Sequence, residues 1–329
     1  MKYKIKKKAV LVCAVESEKF PETSKIELNS VNLNIQGLFR DETRCSLEFG
    51  HSWSGSWSGI HKEVYEIPRG IKTIGSDAFK ESHIKTLIIP DTVKLIEWNS
   101  FNDSTINEII FNDKDGSINN ELVIESLSFH NCRGLSSIVF PPRLTSLKTG
   151  AFAGCQDLVS IEVNSGCKSY YSTNNGIYDE KDSLVMGIRG TILNPLCNRI
   201  RGAFYGSNIK SLKLDPYVMV NAGSFKSSQL EEITIGGDII GSNTFSNCTS
   251  LKKVTLLEGI ERLDSYLFVG AKNLKEITLP ESIKYISLYA FAGSGINKLY
   301  IPRASEFAKM RGDSIIKLGS EYKMEIHYI

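Results

Sequence analysis

Between Leu251 and Pro280 the chain writes one short pattern twice: Leu251, Val254 and Leu256 form an L-x-x-L-x-L unit, and Leu274, Ile277 and Leu279 repeat it 23 residues later. The template recurs nine times, the other seven units being Ile84/Leu87/Ile89, Ile106/Ile109/Phe111, Leu135/Ile138/Phe140, Leu158/Ile161/Val163, Ile209/Leu212/Leu214, Leu230/Ile233/Ile235 and Ile296/Leu299/Ile301. A Phe stands five or six residues before each unit, at 79, 101, 129, 152, 204, 225, 245, 268 and 291. Self-similarity at such a period marks a solenoid.

The last two apolar positions of each unit are separated by two, so they share one face of a short strand and point into a core. The Phe and the first Leu or Ile fill the rest of each coil. No coil can bury this set without a neighbour stacked on it. Three residues after each Phe only small side chains occur (Ser82, Ser104, Cys132, Cys155, Ser207, Ser228, Cys248, Ala271, Ser294), as a tight buried turn requires.

Written out, the repeat resembles the BspA-type leucine-rich repeats, also called the Treponema pallidum type. Ile67-Pro68, Ile71, Ile74-Gly75 and Ala78-Phe79 carry the likeness, as do Leu279-Pro280, Ile283, Ile286 and Ala290-Phe291. The resemblance implies a β-rich α/β solenoid, a right-handed leucine-rich repeat stack of about nine repeats of about 20–28 residues with N- and C-terminal caps. It also implies export and adhesion, and it spans roughly residues 66 to 301.

A solenoid grows in one dimension, so 329 residues are accommodated in one elongated domain. With 39 basic against 37 acidic residues there is no global field for nucleic acid, and none is expected as a partner. No run of 18 apolar residues marks a membrane-spanning segment. Of seven cysteines, Cys132, Cys155 and Cys248 are explained as small buried residues. Cys167 and Cys197 bracket an insertion and read either as a staple or as two reduced thiols. Cys13 and Cys45 carry no signal. The start of the chain has a basic region before Ala9–Val15, which reads either as a short secretion signal or as the first strand of a cap.

Taken in order, residues 1–65 form an N-terminal β-rich cap. It contains the Trp/Ser/Gly stretch from His51 to Gly59, whose Trp53 and Trp57 read as a binding loop or as cover for the first coil. Residues 66–301 hold the repeats. Asn112 to Ser117 lengthens the third coil as a solvated turn; as a calcium loop its glycine is misplaced. Between Val163 and Ile192 the repeat is interrupted, Asn175-Gly176 signalling a β-hairpin excursion over about 164–191. The segment Asn175-Gly176-Ile177-Tyr178 resembles the signature of the family's insert. Its Tyr170, Tyr171 and Tyr178 read as packing or as binding residues. Coils are expected to resume at Ile192. Residues 302–329 make the C-terminal cap, with a helix around Ala304–Met310, two short apolar segments, and Arg311-Gly312-Asp313-Ser314, a tetrapeptide read by integrins or a plain turn.

Groups for catalysis do not converge in the sequence. His51, His61, His83, His130 and His327 fall on different coils or caps, and no H-E-x-x-H, C-x-x-C, GxSxG or phosphate-loop motif occurs. The chain reads as non-enzymatic, with no cofactor or metal. Binding fits better, because alternate residues of each strand face outward in a continuous ladder. Ile88, Ile110 and Val139 make three consecutive apolar rungs, which Trp98 extends and Tyr300 complements at the far end. The expectation is a surface or secreted recognition protein that binds a protein, such as host extracellular matrix, or a glycan. The alternative is an intracellular interaction scaffold.

Overall fold

The computed structural model describes residues 61–67, 69–113, 121–237, 239–310 and 312–329, and short strand backbones at 2–3, 9–11, 26–28, 33–34, 44–46 and 52–56. The chain winds into a β-solenoid of about ten turns with little helix. Each regular coil contributes one strand to each of two parallel walls. The first wall carries the repeat template, as in His61–Glu66, His83–Pro90 and Glu108–Asn112, which pair in register as Val64, Thr86 and Glu108. The second wall is built from the Ile of I-P-x-x-I-x-x-I and runs through Thr73–Ile74, Leu95–Ile96, Leu122–Ile124 and Leu144–Leu147.

Between the walls the phenylalanines form a spine. Rings of Phe79, Phe101, Phe129 and Phe152 stack at 5.0, 4.9 and 4.9 Å, and those of Phe204, Phe225, Phe245, Phe268 and Phe291 at 5.1, 5.7, 5.6 and 6.0 Å. Phe152 aside, at 6% exposure, each is essentially inaccessible. Each Phe before Phe291 sits in a tight turn whose backbone bonds to the next coil, as Phe79 N–H to the Ser100 carbonyl at 2.6 Å. The turn needs a left-handed residue two positions after the Phe, filled by Glu81, Asp103, Asn131, Gly154, Gly206, Ser227, Asn247, Gly270 and Gly293, and in most coils another two before it. The latter include Leu127 at φ 60° and Tyr266 at φ 59°, side chains that this region disfavours.

The small position three residues after Phe explains its own chemistry. The Cys248 thiol donates to the Phe225 carbonyl at 2.9 Å and the Cys155 thiol to the Phe129 carbonyl at 3.1 Å, tying coil to coil. Burial pushes Cys248 up to about 11, and raises Cys155 as well. Cys132, Cys155, Cys167, Cys197 and Cys248 are all free, so Cys167 and Cys197 do not staple the insertion. Their sulfurs donate instead to the Leu144 and Arg199 carbonyls.

The 164–191 segment departs from a simple excursion. Tyr170–Thr173, Gly176–Asp179 and Ser183–Gly187 are antiparallel neighbours, but the third strand then pairs in parallel with Arg199–Ile200, which pairs with Met219–Val220. It is therefore part of the second wall. Gly187 lies so close to Phe204 that an added Cβ would sit 2.3 Å from the ring. The core divides here into two clusters, one from Tyr65 to Ile188 and one from Tyr178 to Met324. Coils do not resume at Ile192, which is 68% exposed; the wall strand begins at Arg199.

At the C-terminal end the helix Glu306–Met310 is followed by a second helix, Gly312–Tyr322, where the sequence suggested only a short apolar segment. Ile315 and Leu318 face the core, and Glu325–Tyr328 closes the first wall as a parallel strand beside Lys298–Ile301. Gly312, Asp313 and Ser314 open that helix and so are not a plain turn, while Arg311 lies outside the described residues. At the other end Ser52–Ser56 is a strand, not a loop, its Trp53 backbone in register with Ile74. The Trp53 side chain, Trp57 and residues 114–120 also lie outside the described residues.

Candidate functional site

The outward residues of the first wall form columns that run along the stack. One column contains Glu66, Ile88 and Ile110 in hydrogen-bonded register, and the adjoining coil continues it with Val139 and Glu162. Ile88 is partly covered, Ile110 is 40% exposed and Val139 54%. The ladder is interrupted between Ile110 and Val139, because Glu108–Asn112 and Ser137–Phe140 belong to separate sheets. Their inner faces remain joined, with Phe111 and Phe140 rings 6.5 Å apart. Asp113, just after the strand Glu108–Asn112, is held by Arg143, whose side chain is 2% exposed. Arg143 Nε donates to Asp113 Oδ1 at 2.8 Å, and its terminal nitrogens donate to the Val93 and Pro90 carbonyls. Such a buried cation is tolerated because every donor direction named here meets an acceptor.

The same column beyond the insertion reads Lys213, Thr234 and Thr255, then Thr278, Tyr300 and His327, each set of three in register. Its neighbour reads Ser211, Glu232 and Lys253, then Glu276, Lys298 and Glu325. Tyr300 is partly covered and stacks on His327 at 5.0 Å. The C-terminal half of the ladder is thus polar, with charges alternating from rung to rung.

The structure brings Ile88, Ile110 and Val139 onto one face but leaves Trp98 elsewhere. Trp98, 48% exposed, follows Leu95–Ile96 of the second wall, in the turn leading to Phe101, so it does not extend the apolar rungs. The insert tyrosines are spent on structure. Tyr178 is inaccessible and its hydroxyl accepts the Asn194 N–H; Tyr170 accepts the Leu147 N–H. The Tyr171 hydroxyl donates to Asp182 at 2.5 Å, and burial followed by that carboxylate raises its pKa to about 12.

Two histidines read as separate in the sequence stand together. His61 and His83 are cross-strand partners with rings stacked 4.3 Å apart at the N-terminal edge of the ladder. Their separation of one repeat was the signal for this. Half-burial lowers the pKa of His130 against the opposing pull of Asp103, and its Nδ1 lies 2.8 Å from Asn102 Oδ1. Among the described residues no three His, Cys, Asp or Glu side chains gather as a metal site, and no helix is long and apolar enough to cross a membrane.

The sequence matches the BspA type leucine rich repeat region in six copies, over residues 58–174 and 200–311. The chain belongs to the BspA-type leucine-rich repeat family. Solved structures similar to this BspA-type chain include the pneumococcal vaccine antigen PcpA, at 18% identity over 80% of this chain and 82% of that one, with a TM-score of 0.45. A leucine rich cell surface protein from Faecalibacterium prausnitzii is also 18% identical, over 84% and 89%, with a TM-score of 0.41. A leucine-rich repeat protein from Eubacterium ventriosum is 16% identical over 71% and 83%, with a TM-score of 0.39. Comparison with curated proteins gave no match.

Proposed function

We propose that this BspA-type protein is a non-enzymatic recognition protein that holds a protein partner on the N-terminal half of its ladder. The observation that supports the reading is the run of Ile88, Ile110 and Val139 along one outward face, where the C-terminal half carries Lys213, Thr234, Thr255, Thr278 and Tyr300. An outward strand position on a solvated wall has no need of Ile, and contiguous exposed apolar surface marks interfaces. Display outside the cell and binding to extracellular matrix proteins are parts of this proposal, as the family implies. The five thiols that are free among the described residues favour a second reading, an intracellular scaffold that uses the same face.

The first test separates compartments. Protease treatment of intact producing cells should remove the chain while a cytoplasmic control survives; survival of the chain in intact cells but not in lysates would support the scaffold. The second test addresses the face. On a panel of immobilised matrix proteins, Ile110→Glu and Val139→Glu should each weaken capture at least tenfold with unchanged circular dichroism, whereas Thr255→Glu should not. Equal capture by all three variants would remove the site from the N-terminal ladder.

A further inference from the structure

We propose that the C-terminal half of the ladder is a self-complementary surface on which a second copy of this chain docks about a two-fold axis. The inference does not rest on the apolar rungs. It starts from Glu232 and Lys253, paired in one sheet, and Glu276 and Lys298, paired in the adjoining one, which alternate in sign along the outward face of the first wall. Within each sheet adjacent rungs stand about 4.8 Å apart. Among the described residues none of these four makes an ion pair, although Glu231 beside them takes both Lys210 at 3.3 Å and Lys252 at 3.0 Å. Their charges point outward unspent.

A column written acid, base, acid, base reads base, acid, base, acid from its other end. A two-fold axis parallel to the strands and passing between the Lys253 and Glu276 rungs reverses the rung order while laying each column over itself. Glu232 then faces Lys298 of the second copy and Lys253 faces Glu276, each pair occurring twice. Six rungs take part, from Ser211 to Glu325, and the axis falls at their centre. In the adjoining column Thr255 faces Thr278 and Thr234 faces Tyr300. The small residues at the centre let the two walls approach. The one like-charged facing pair, Lys252 and Lys275, lies at the margin, where Lys252 is held by Glu231 and Lys275 donates to its own Lys272 carbonyl at 2.7 Å.

Six rungs span about 24 Å, so the face is smaller than the ~800 Å² per partner of a standard stable interface. The pair is therefore weak, reversible and salt-sensitive, with complementary charge setting its register. In it the N-terminal halves extend in opposite directions past the partner's C-terminal cap. Ile88, Ile110 and Val139 of both copies stay free.

Sedimentation velocity over a concentration series reaching the millimolar range tests this on the full chain. At ~0.05 M salt the protein should show a monomer–dimer equilibrium that weakens at least tenfold at ~0.5 M, where screening shortens the reach of each charge. Lys253→Glu with Lys298→Glu makes the four central rungs acidic, and Glu232→Lys with Glu276→Lys makes the same four basic. Each double variant should be monomeric with unchanged circular dichroism, and an equal mixture of the two should form the heterodimer. The proposal is overturned by a wild-type protein that stays monomeric, by double variants that still self-associate, or by a mixture that fails to pair.

Discussion

In the coils between residues 61 and 163 the second outward column runs Glu66, Ile88, Ile110, Val139 and Glu162, while between 211 and 301 it runs Lys213, Thr234, Thr255, Thr278 and Tyr300. Inward, the same strands carry Leu87, Ile109 and Ile138 in the first half and Ile233, Val254 and Ile277 in the second, all buried. Stacking therefore constrains the inward positions alike in both halves and leaves the outward ones to vary. The difference between the halves lies in what each wall can hold, since both bury the same kind of core.

That comparison can be broken most severely through the spine. Phe101→Ala in the first half and Phe245→Ala in the second should each cost about 3–5 kcal/mol, measured by chemical denaturation, because both rings are fully buried between stacked neighbours. A large inequality between them would show that the two cores are not equivalent. Arg143→Ala should cost about 3 kcal/mol, by stranding Asp113 and two carbonyls, and should fall on the first half alone. Leu127→Asn should raise stability by about 0.5–1 kcal/mol, since Asn99 and Asn243 already occupy the equivalent left-handed position. Tyr266→Asn should gain less, because Tyr266 also stacks on Tyr289 at 5.5 Å. Smallest of all, Ile110→Glu and Thr255→Glu should each change stability by under about 0.5 kcal/mol, and only the first should weaken partner capture.

The coil was legible because its inward residues obey a fixed spacing: the nine units found from Ile84 to Ile301 carry the first wall, and Ser82, Cys132 and Cys248 are the buried turn residues their size implied. The role of Ser183–Gly187 was not legible. Asn175-Gly176 announces a hairpin by local turn chemistry, but whether the following strand leaves the wall or joins it depends on pairing with Arg199–Ile200, which no local pattern records. Trp98 was misplaced for a related reason. An exposed aromatic can be spotted by composition, yet its wall follows only from counting positions past Ile96. The helix Gly312–Tyr322 was obscured by Gly319 and by a single buried stripe of Ile315 and Leu318. The ladder residues could be named from alternation, but the occupant of the ladder could not, since outward positions answer to a partner that leaves no periodic trace in this chain.

The break in the phenylalanine spine has a mechanical meaning. Phe152 and Phe204 have Ser183–Gly187 and the turn after it between them in the chain, and the two cores meet there across a cavity of about 20 Å³, room for about one water, beside the unpartnered Ser207 hydroxyl. Elsewhere each coil hands load to the next through the stacked rings. Pulled from its two ends, the rod should part first at this joint and then yield in two separate steps, one for each core, so that tension on one arm leaves the other intact.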